Sequence, residues 1–151
     1  MKPASVIAID PGTTHSGIVW YENGKVVDSG VLINDDVRGV LIEEQKGFVA
    51  IEMIASYGMA VGKEVFETCL WIGRFKECAY GLDVRLIFRK DVKMHLCGNV
   101  RAKDANIRQA IIDRYGGKAE AIGTVKKQGP LYGVKSHAWA ALAVAITATE
   151  T

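Results

Sequence analysis

One stretch near the start of the chain, residues 5–21, constrains the fold more than any other. It contains two short apolar runs, residues 6–9 and 17–21, of the kind that form buried strands. The turn signal Asp10-Pro11-Gly12 separates the two runs, and Asn23-Gly24, which is typical of a hairpin turn, follows the second. The chain is therefore predicted to begin with a strand, a turn, a second strand, a hairpin turn and a third strand.

Two acidic residues stand where predicted buried strands end. Asp10 closes the first strand, and Glu52 follows a fourth apolar run at residues 48–51. If these strands are parallel neighbours, both carboxylates lie at the sheet edge where open α/β sheets usually bind ligands. Carboxylates this close repel each other unless they share a proton or a cation, and their oxygens favour Mg²⁺ or Mn²⁺. The alternatives are a purely structural turn at Asp10 and a solvated acid at Glu52.

The remaining pattern alternates helices with strands and predicts a mixed α/β sheet in one domain, residues 1–151. Residues 25–33 and 84–88 indicate two further strands. Apolar spacing predicts helices over residues 34–46 and 59–80, one within 99–115, and a last Ala-rich helix capped by Ser136. Residues 89–98 look basic and irregular, and residues 116–133, with five glycines, look like a mobile basic loop.

Composition narrows the function classes without selecting one. A length of 151 residues suits a single domain with its own core, and the formal charge of +2 does not by itself indicate nucleic-acid binding. The three cysteines lack metal-site spacing, which indicates free thiols. The chain has no apolar run long enough to span a membrane, and Met1-Lys2-Pro3 leads directly into a strand rather than a signal peptide. We therefore expect a cytoplasmic protein.

A third candidate ligand lies at the start of the last helix, which should face the same sheet edge. His137 is the one titratable group on an otherwise apolar helix, so a metal-ligand or acid–base role is favoured over a structural one. Asp104 is a fourth candidate, and the alternative for it is a solvated first helical turn. Paired Mg²⁺ or Mn²⁺ ions at such a site would support attack of water on a phosphodiester.

These motifs, taken together, resemble those of the RuvC-type Holliday junction resolvases of the ribonuclease H-like superfamily, and phage-encoded members most closely. The resemblance rests on residues 7–12, on Ile51-Glu52 and on residues 141–147, and it covers most of the chain. It implies a ribonuclease H-like five-stranded mixed sheet flanked by helices. It also implies a homodimeric, Mg²⁺- or Mn²⁺-dependent endonuclease that nicks branched DNA, with Asp10 and Glu52 as metal ligands.

The chain departs from the family pattern at one position. The last helix of these resolvases usually begins Asp-x-x-Asp or His-x-x-Asp, whereas here His137 occupies the first position and Ala140 the second. A carboxylate of the usual site is therefore missing. Either Asp104 replaces it, or His137 suffices, or the protein is a weak nuclease. The resemblance also places a basic residue near the site, and Lys103 is the candidate to stabilise charge on the reacting phosphate.

A DNA-facing surface can be predicted from charge. Basic residues are concentrated in the second half of the chain, where they would contact phosphates without reading sequence. Tyr57, on the loop after Glu52, is a candidate to stack on an unpaired base, and the alternative is that it only covers the core. The other predicted DNA contacts are Lys90, Lys93, Arg101, Arg108, Lys126 and Lys127.

Assembly is predicted from the helix at residues 59–80, which carries more large apolar side chains than one buried face can use. We expect Phe66 and Leu70 to face the sheet, and Trp71, Phe75 and Cys78 to turn partly outward towards a second copy of the chain. The alternative is that the loop at residues 116–133 covers this face.

Three functions compete at this point. The first is the junction-resolving nuclease. The second is a weak or inactive dimer that binds branched DNA, which Ala140 favours and the intact Asp10 and Glu52 disfavour. The third is an ATP-binding domain of the sugar-kinase and actin type, because residues 10–14 resemble the phosphate loop of that class. The chain has no second loop of that kind, which disfavours the third.

Overall fold

The five strands form one sheet, and the computed structural model describes them within residues 5–44 and 46–151. They are β1 (Ser5–Asp10), β2 (His15–Glu22), β3 (Lys25–Ile33), β4 (Phe48–Met53) and β5 (Asp83–Phe88). The sheet order is β3-β2-β1-β4-β5. The first three strands pair antiparallel, whereas β1 with β4 and β4 with β5 pair parallel. The predicted mixed sheet, and the parallel pairing of β1 with β4 on which the site prediction depends, are both confirmed.

Helices cover both faces of the sheet. They are α1 (Asn34–Glu43), α2 (Lys63–Cys78), α3 (Arg89–Cys97), α4 (Asp104–Arg114), the single turn α5 (Lys118–Ala121) and α6 (Ala138–Glu150). Successive residues of β1 point to opposite faces, so Val6 and Ala8 join a core with α3, α4 and α6, while Ile7 and Ile9 join a core with α1 and α2. None of the helices in the described part of the chain is long and apolar enough to cross a membrane.

The segment after β5 was predicted to be irregular, and that prediction was wrong. Residues 89–97 form α3, in which Val92 is buried and Leu96, one turn later, packs against the same core. Lys and Arg are good helix formers, and their charged heads remain in solvent while such apolar positions face inward. The charge of the segment obscured this spacing.

The segment at residues 116–133 is also more ordered than a loop. It contains α5 and an isolated bridge between Gly123 and Gln128, and it buries Ala121 and Leu131. Both buried residues belong to the core on the α6 face of the sheet. Because α2 packs on the opposite face, these buried residues lie away from α2, and the proposal that the segment covers that helix is wrong.

The orientation of α2 is the reverse of the prediction. Phe75 is fully buried and Trp71 packs against the same core, whereas Phe66 and Leu70 are each 62% exposed. The helix is also shorter than predicted, because residues 59–62 precede its first turn. An exposed apolar stripe remains on the outer side of α2. It includes Phe66 and Leu70 rather than the expected Trp71, Phe75 and Cys78.

Two predictions concern positions that lie partly outside the described residues. The absence of a signal peptide was argued from Met1-Lys2-Pro3, which lies outside the described residues, and the first helix predicted over residues 34–46 would include residue 45, which also lies outside them. Within the described residues, α1 ends at Glu43, and its first residue, Asn34, uses its side chain in the site described next rather than as a helix cap.

Candidate active site

The two strand-end carboxylates meet at the edge of the sheet. Ile9 of β1 pairs in register with Ile51 of the parallel strand β4, so Asp10 and Glu52 are the next residues along each strand. Both line an open cavity of about 730 Å³, together with His137, Asp104, Arg89 and Tyr57. The structure thus places all four predicted metal ligands around one cavity.

Burial and mutual repulsion control the protonation of the carboxylate pair. Burial raises the pKa of Asp10. Burial and the adjacent Asp10 carboxylate together raise the pKa of Glu52 to about 7. With this pKa, the Asp10 and Glu52 pair retains a proton near neutral pH. A divalent cation can take the place of that proton and neutralise the negative charge of the two carboxylates.

A small polar network holds the turn that presents Asp10. The buried Ser16 hydroxyl donates a hydrogen bond of 2.6 Å to Asn34 Oδ1, and Asn34 Nδ2 donates one of 2.9 Å to the carbonyl of Gly12. The Gly12 N–H in turn donates to Ser16 Oγ at 3.2 Å. Buried polar side chains satisfied in this way define one backbone conformation. The sequence interpretation missed this role of Ser16 and Asn34, because the partners are far apart along the chain.

A close approach of α6 to β2 positions His137. Gly17, which pairs with Asp10 across β1 and β2, lies under the start of this helix. A Cβ atom at Gly17 would come within 2.3 Å of the His137 carbonyl oxygen, so only glycine permits this packing. The His137 ring then places Nδ1 3.1 Å from Asp10 Oδ2.

The predicted helix cap at Ser136 was wrong. Ser136 adopts a left-handed backbone conformation with φ of 52°, and His137 is the residue that precedes the first turn of α6. Among the described residues, no side chain caps this helix end. The left-handed residue turns the chain into α6 and so contributes to the direction of His137.

Arg89 is the site residue that the sequence interpretation did not single out. It is the first residue of α3, directly after β5, and β5 is the parallel neighbour of β4. Its Nη1 donates to Glu52 Oε1 at 3.2 Å, and its Nη2 contacts Asp104 Oδ1. The strand-end argument that identified Asp10 and Glu52 would have identified Arg89 as well, had residues 89–98 not been treated as irregular.

The oxygen and nitrogen ligand atoms of the site suit a hard divalent cation, although the side chains are not arranged around a single ion position. Asp10 and Glu52 offer carboxylate oxygens, and His137 offers an imidazole nitrogen beside Asp10. As the side chains stand, the described part of the chain contains no cluster of three or more His, Cys, Asp or Glu residues arranged to hold a metal ion. Asp104 is engaged by Arg89, and Ala140 lines the cavity with a methyl group where the resolvase motif has a carboxylate.

Only some of the predicted DNA-contacting residues line this cavity. Tyr57 is 63% exposed and lines it, whereas the Arg108 guanidinium lies over the Trp139 ring at 4.7 Å, in a neighbouring cavity. The backbone N–H of Lys103 donates to Asn106 Oδ1 at 2.9 Å and so begins α4 next to Asp104. The structure does not place the side chain of Lys103 in the lining of the cavity. The remaining basic residues lie at the surface, where Lys93 is half-buried and the others are exposed: Lys90, Lys93, Arg101, Lys126 and Lys127.

Comparisons with known proteins identify the fold. Thermus thermophilus RuvC in complex with a Holliday junction substrate matches the chain with a TM-score of 0.68 and 19% sequence identity. A second structure of Thermus thermophilus RuvC matches with a TM-score of 0.66 and 20% identity. Each match covers 95% of this chain and 92% of the other. No family model and no curated protein matches the sequence. The chain therefore has the ribonuclease H-like fold of the RuvC resolvases, as the sequence motifs predicted.

Proposed function

We propose that this protein is a metal-dependent endonuclease that cleaves phosphodiester bonds in branched DNA, with the four-way junction as its candidate substrate. The observation that carries the proposal is the pairing of Asp10 with Glu52 at the ends of parallel strands, with His137 Nδ1 3.1 Å from Asp10. The RuvC fold supports the same function, because one of its structures holds a Holliday junction substrate.

In the proposed site, Asp10, Glu52 and His137 hold Mg²⁺ or Mn²⁺, and Asp104 is available as a further ligand. When bound, such an ion polarises the phosphate and activates water for attack. The polar network of Ser16 and Asn34 keeps Asp10 in one orientation, and the packing of α6 on Gly17 does the same for His137. Hydrolysis adds water across one P–O bond and leaves a nick, and Lys103 is the proposed source of positive charge near the leaving oxygen.

The DNA would lie across the open side of the cavity. Tyr57, which lines the cavity with most of its surface exposed, is proposed to stack on a base at the branch point. Lys90, Lys93, Arg101, Arg108 and the loop pair Lys126 and Lys127 would contact phosphates around the site.

A homodimer is part of the proposal, because a junction needs two symmetric nicks and the described residues form one carboxylate site. The interface we propose is the outer stripe of α2, which includes Phe66 and Leu70. Gly73, three residues after Leu70, leaves room for close approach, since nothing lies within 4 Å of a Cβ atom built there. The stripe that remains exposed supports this interface better than the outward-facing residues predicted from the sequence.

A protein that binds branched DNA without cutting it is the second candidate. Two observations favour it: Ala140 lines the cavity where the resolvase motif supplies a carboxylate, and Arg89 is paired with Glu52 and Asp104. Both reduce the negative charge available to a metal ion. The Asp10 and Glu52 pair is intact, however, which favours the nuclease.

Incubation of the protein with Mg²⁺ and a labelled four-way junction tests the proposal. Linear duplex of the same sequence and ATP serve as parallel substrates. We expect paired nicks in the junction, little cleavage of the duplex and no ATP hydrolysis. Junction binding without cleavage in either Mg²⁺ or Mn²⁺ would favour the non-cleaving DNA-binding protein. ATP hydrolysis would contradict both the nuclease and the DNA-binding protein.

A further inference from the structure

Arg89 supplies a fixed positive charge between two carboxylates of the site. One nitrogen of its guanidinium donates to Glu52 at 3.2 Å, and the other contacts Asp104. Glu52 and Asp10 follow the paired residues Ile51 and Ile9 of parallel strands, so Asp10 and Arg89 line the same cavity as this acid. Arginine stays charged at any pH at which a protein is folded, and its planar fork suits two oxygen acceptors at once.

The charge balance of the cavity is consistent with one divalent ion rather than two. Asp10, Glu52 and Asp104 are the carboxylates that line it, and Ala140 adds none. Metal binding displaces the proton that the Asp10 and Glu52 pair holds, so all three carboxylates are then ionised. Arg89 offsets one of the three negative charges, and a single divalent cation balances the remainder. A second divalent ion would leave the cavity with excess positive charge before DNA binds, and it would have to displace Arg89 from Glu52 and Asp104.

We propose that Arg89 takes the place of a second divalent cation. One ion is held at Asp10, Glu52 and His137, and the Arg89 guanidinium supplies the second positive charge that faces the DNA phosphate. This inference rests on the proposed nuclease function and adds a residue and a metal stoichiometry to it. It also accounts for the loss of a carboxylate at Ala140, since a site with a built-in cation needs one fewer anionic ligand.

Calorimetric titration of the metal-free protein with Mn²⁺ tests the inference without relying on cleavage. We expect the wild type to bind one ion per chain. Arg89→Gln removes the charge and leaves Glu52 and Asp104 without their partner, so this variant should bind two ions per chain. Arg89→Lys retains the charge and should still bind one. Electron paramagnetic resonance of bound Mn²⁺ provides a second readout, since two neighbouring ions are magnetically coupled and one is not.

Arg85→Gln is the matched control. Arg85 is on β5, the strand that precedes Arg89, and it pairs with Asp83 and lies over the Phe48 ring, outside the cavity lining. This variant loses the same charge and should bind one ion per chain, like the wild type. Two ions on the wild type would overturn the inference, whether or not Arg89→Gln folds. So would a folded Arg89→Gln protein that binds a single ion, with unchanged or tighter affinity.

Cleavage of the four-way junction separates this inference from the proposed function. A wild type that binds one ion and cuts no DNA would disprove the nuclease while leaving the role of Arg89 intact. A wild type that cuts junctions and binds two ions would support the nuclease and disprove the role of Arg89. If both proposals hold, Arg89→Gln assayed at a metal concentration that fills only its first site should lower kcat by about 100-fold or more with little change in junction affinity, because the charge acts mainly on the transition state.

Discussion

The two helices that flank the sheet centre, α6 and α2, differ in how much of their surface the fold uses. Ten of the thirteen residues of α6 are buried, and eight of the ten lie in the unbroken run from Ala141 to Ala148. Only Thr68, Ile72 and Phe75 are buried in the sixteen residues of α2. The helix with small side chains is thus enclosed by its own chain, whereas the helix with large side chains leaves Phe66 and Leu70 in solvent.

The difference has a physical cause. Alanine side chains let α6 approach β1 and β2 closely, and Gly17 removes the last obstacle at its start. Helix α2 contacts the sheet through one stripe, so large residues outside that stripe, such as Phe66 and Leu70, remain exposed. Under the proposed function, α6 would position the chemistry and the exposed side of α2 would serve assembly.

The largest effect is expected at the carboxylate that α6 faces. Asp10→Asn keeps the shape of the side chain and removes the ligand charge, so Mg²⁺-dependent cleavage of a four-way junction should fall by more than about 100-fold. Junction binding, measured by gel shift, should remain. Asp28→Asn on the exposed part of β3 is the control and should cleave normally. Cleavage by the Asp10 variant at near the wild-type rate would exclude Asp10 as a metal ligand.

The close approach of α6 can be disturbed with one methyl group. Gly17→Ala places a Cβ atom where the His137 carbonyl now lies, so α6 must shift. We expect a loss of about 1–3 kcal/mol in the free energy of unfolding. Cleavage should fall by about 10- to 100-fold, because His137 leaves its position beside Asp10.

Gly30→Ala is the control for that change. Gly30 is also in a strand, and nothing lies within 4 Å of a Cβ atom built there. Urea denaturation and junction cleavage of the two variants, measured side by side, separate the contact from the general cost of replacing a strand glycine. Equal behaviour of the two variants would show that the packing of α6 on Gly17 does not position His137.

The proposed role of α2 in assembly predicts a smaller effect, on association alone. Phe66→Ser on the exposed stripe should weaken the dimer by about tenfold or more, while the stability of the monomer changes little. Sedimentation at micromolar concentration measures the change, and Val125→Ser, at a more exposed apolar residue outside α2, is the control. A strictly monomeric wild type that still makes paired nicks would remove α2 from the proposal.

The smallest effect concerns pH. The pKa of Glu52 is raised to about 7 in the folded protein, above its ordinary value of 4.5, because of burial and of Asp10. The folded state therefore binds this proton more tightly than the unfolded state does. The contribution to stability is present below about pH 4.5 and is lost as the pH rises towards 7.

Urea denaturation of the metal-free protein across this pH range measures the effect. Glu52→Gln should flatten the dependence, because a glutamine does not titrate. Mg²⁺ should stabilise the wild type more at pH 8 than at pH 6, since the proton and the metal ion compete for the same carboxylates. A stabilisation by Mg²⁺ that does not depend on pH would show that the ion does not bind at Glu52.

The strand-end argument shows which parts of the site can be inferred from sequence. Apolar runs that end in Asp10 and Glu52 locate both carboxylates, because buried strands have a local signature and parallel neighbours end at the same edge. His137 follows from the start of an apolar helix. Arg89 was not identified, although it also follows a strand, because a cluster of charged residues concealed the periodicity of α3.

The sequence by itself determined the five strands, the edge at which Asp10 and Glu52 lie, and the motifs that resemble the RuvC resolvases. These features depend on local patterns of apolar residues and turn signals. Only the tertiary structure decided which face of α2 is exposed, that Gly17 admits α6, and that Arg89 pairs with Glu52 and Asp104. Each of these depends on contacts between residues that are distant in the chain. Such contacts arise only when the helices settle against the sheet, because no local pattern encodes the distance between two packed elements.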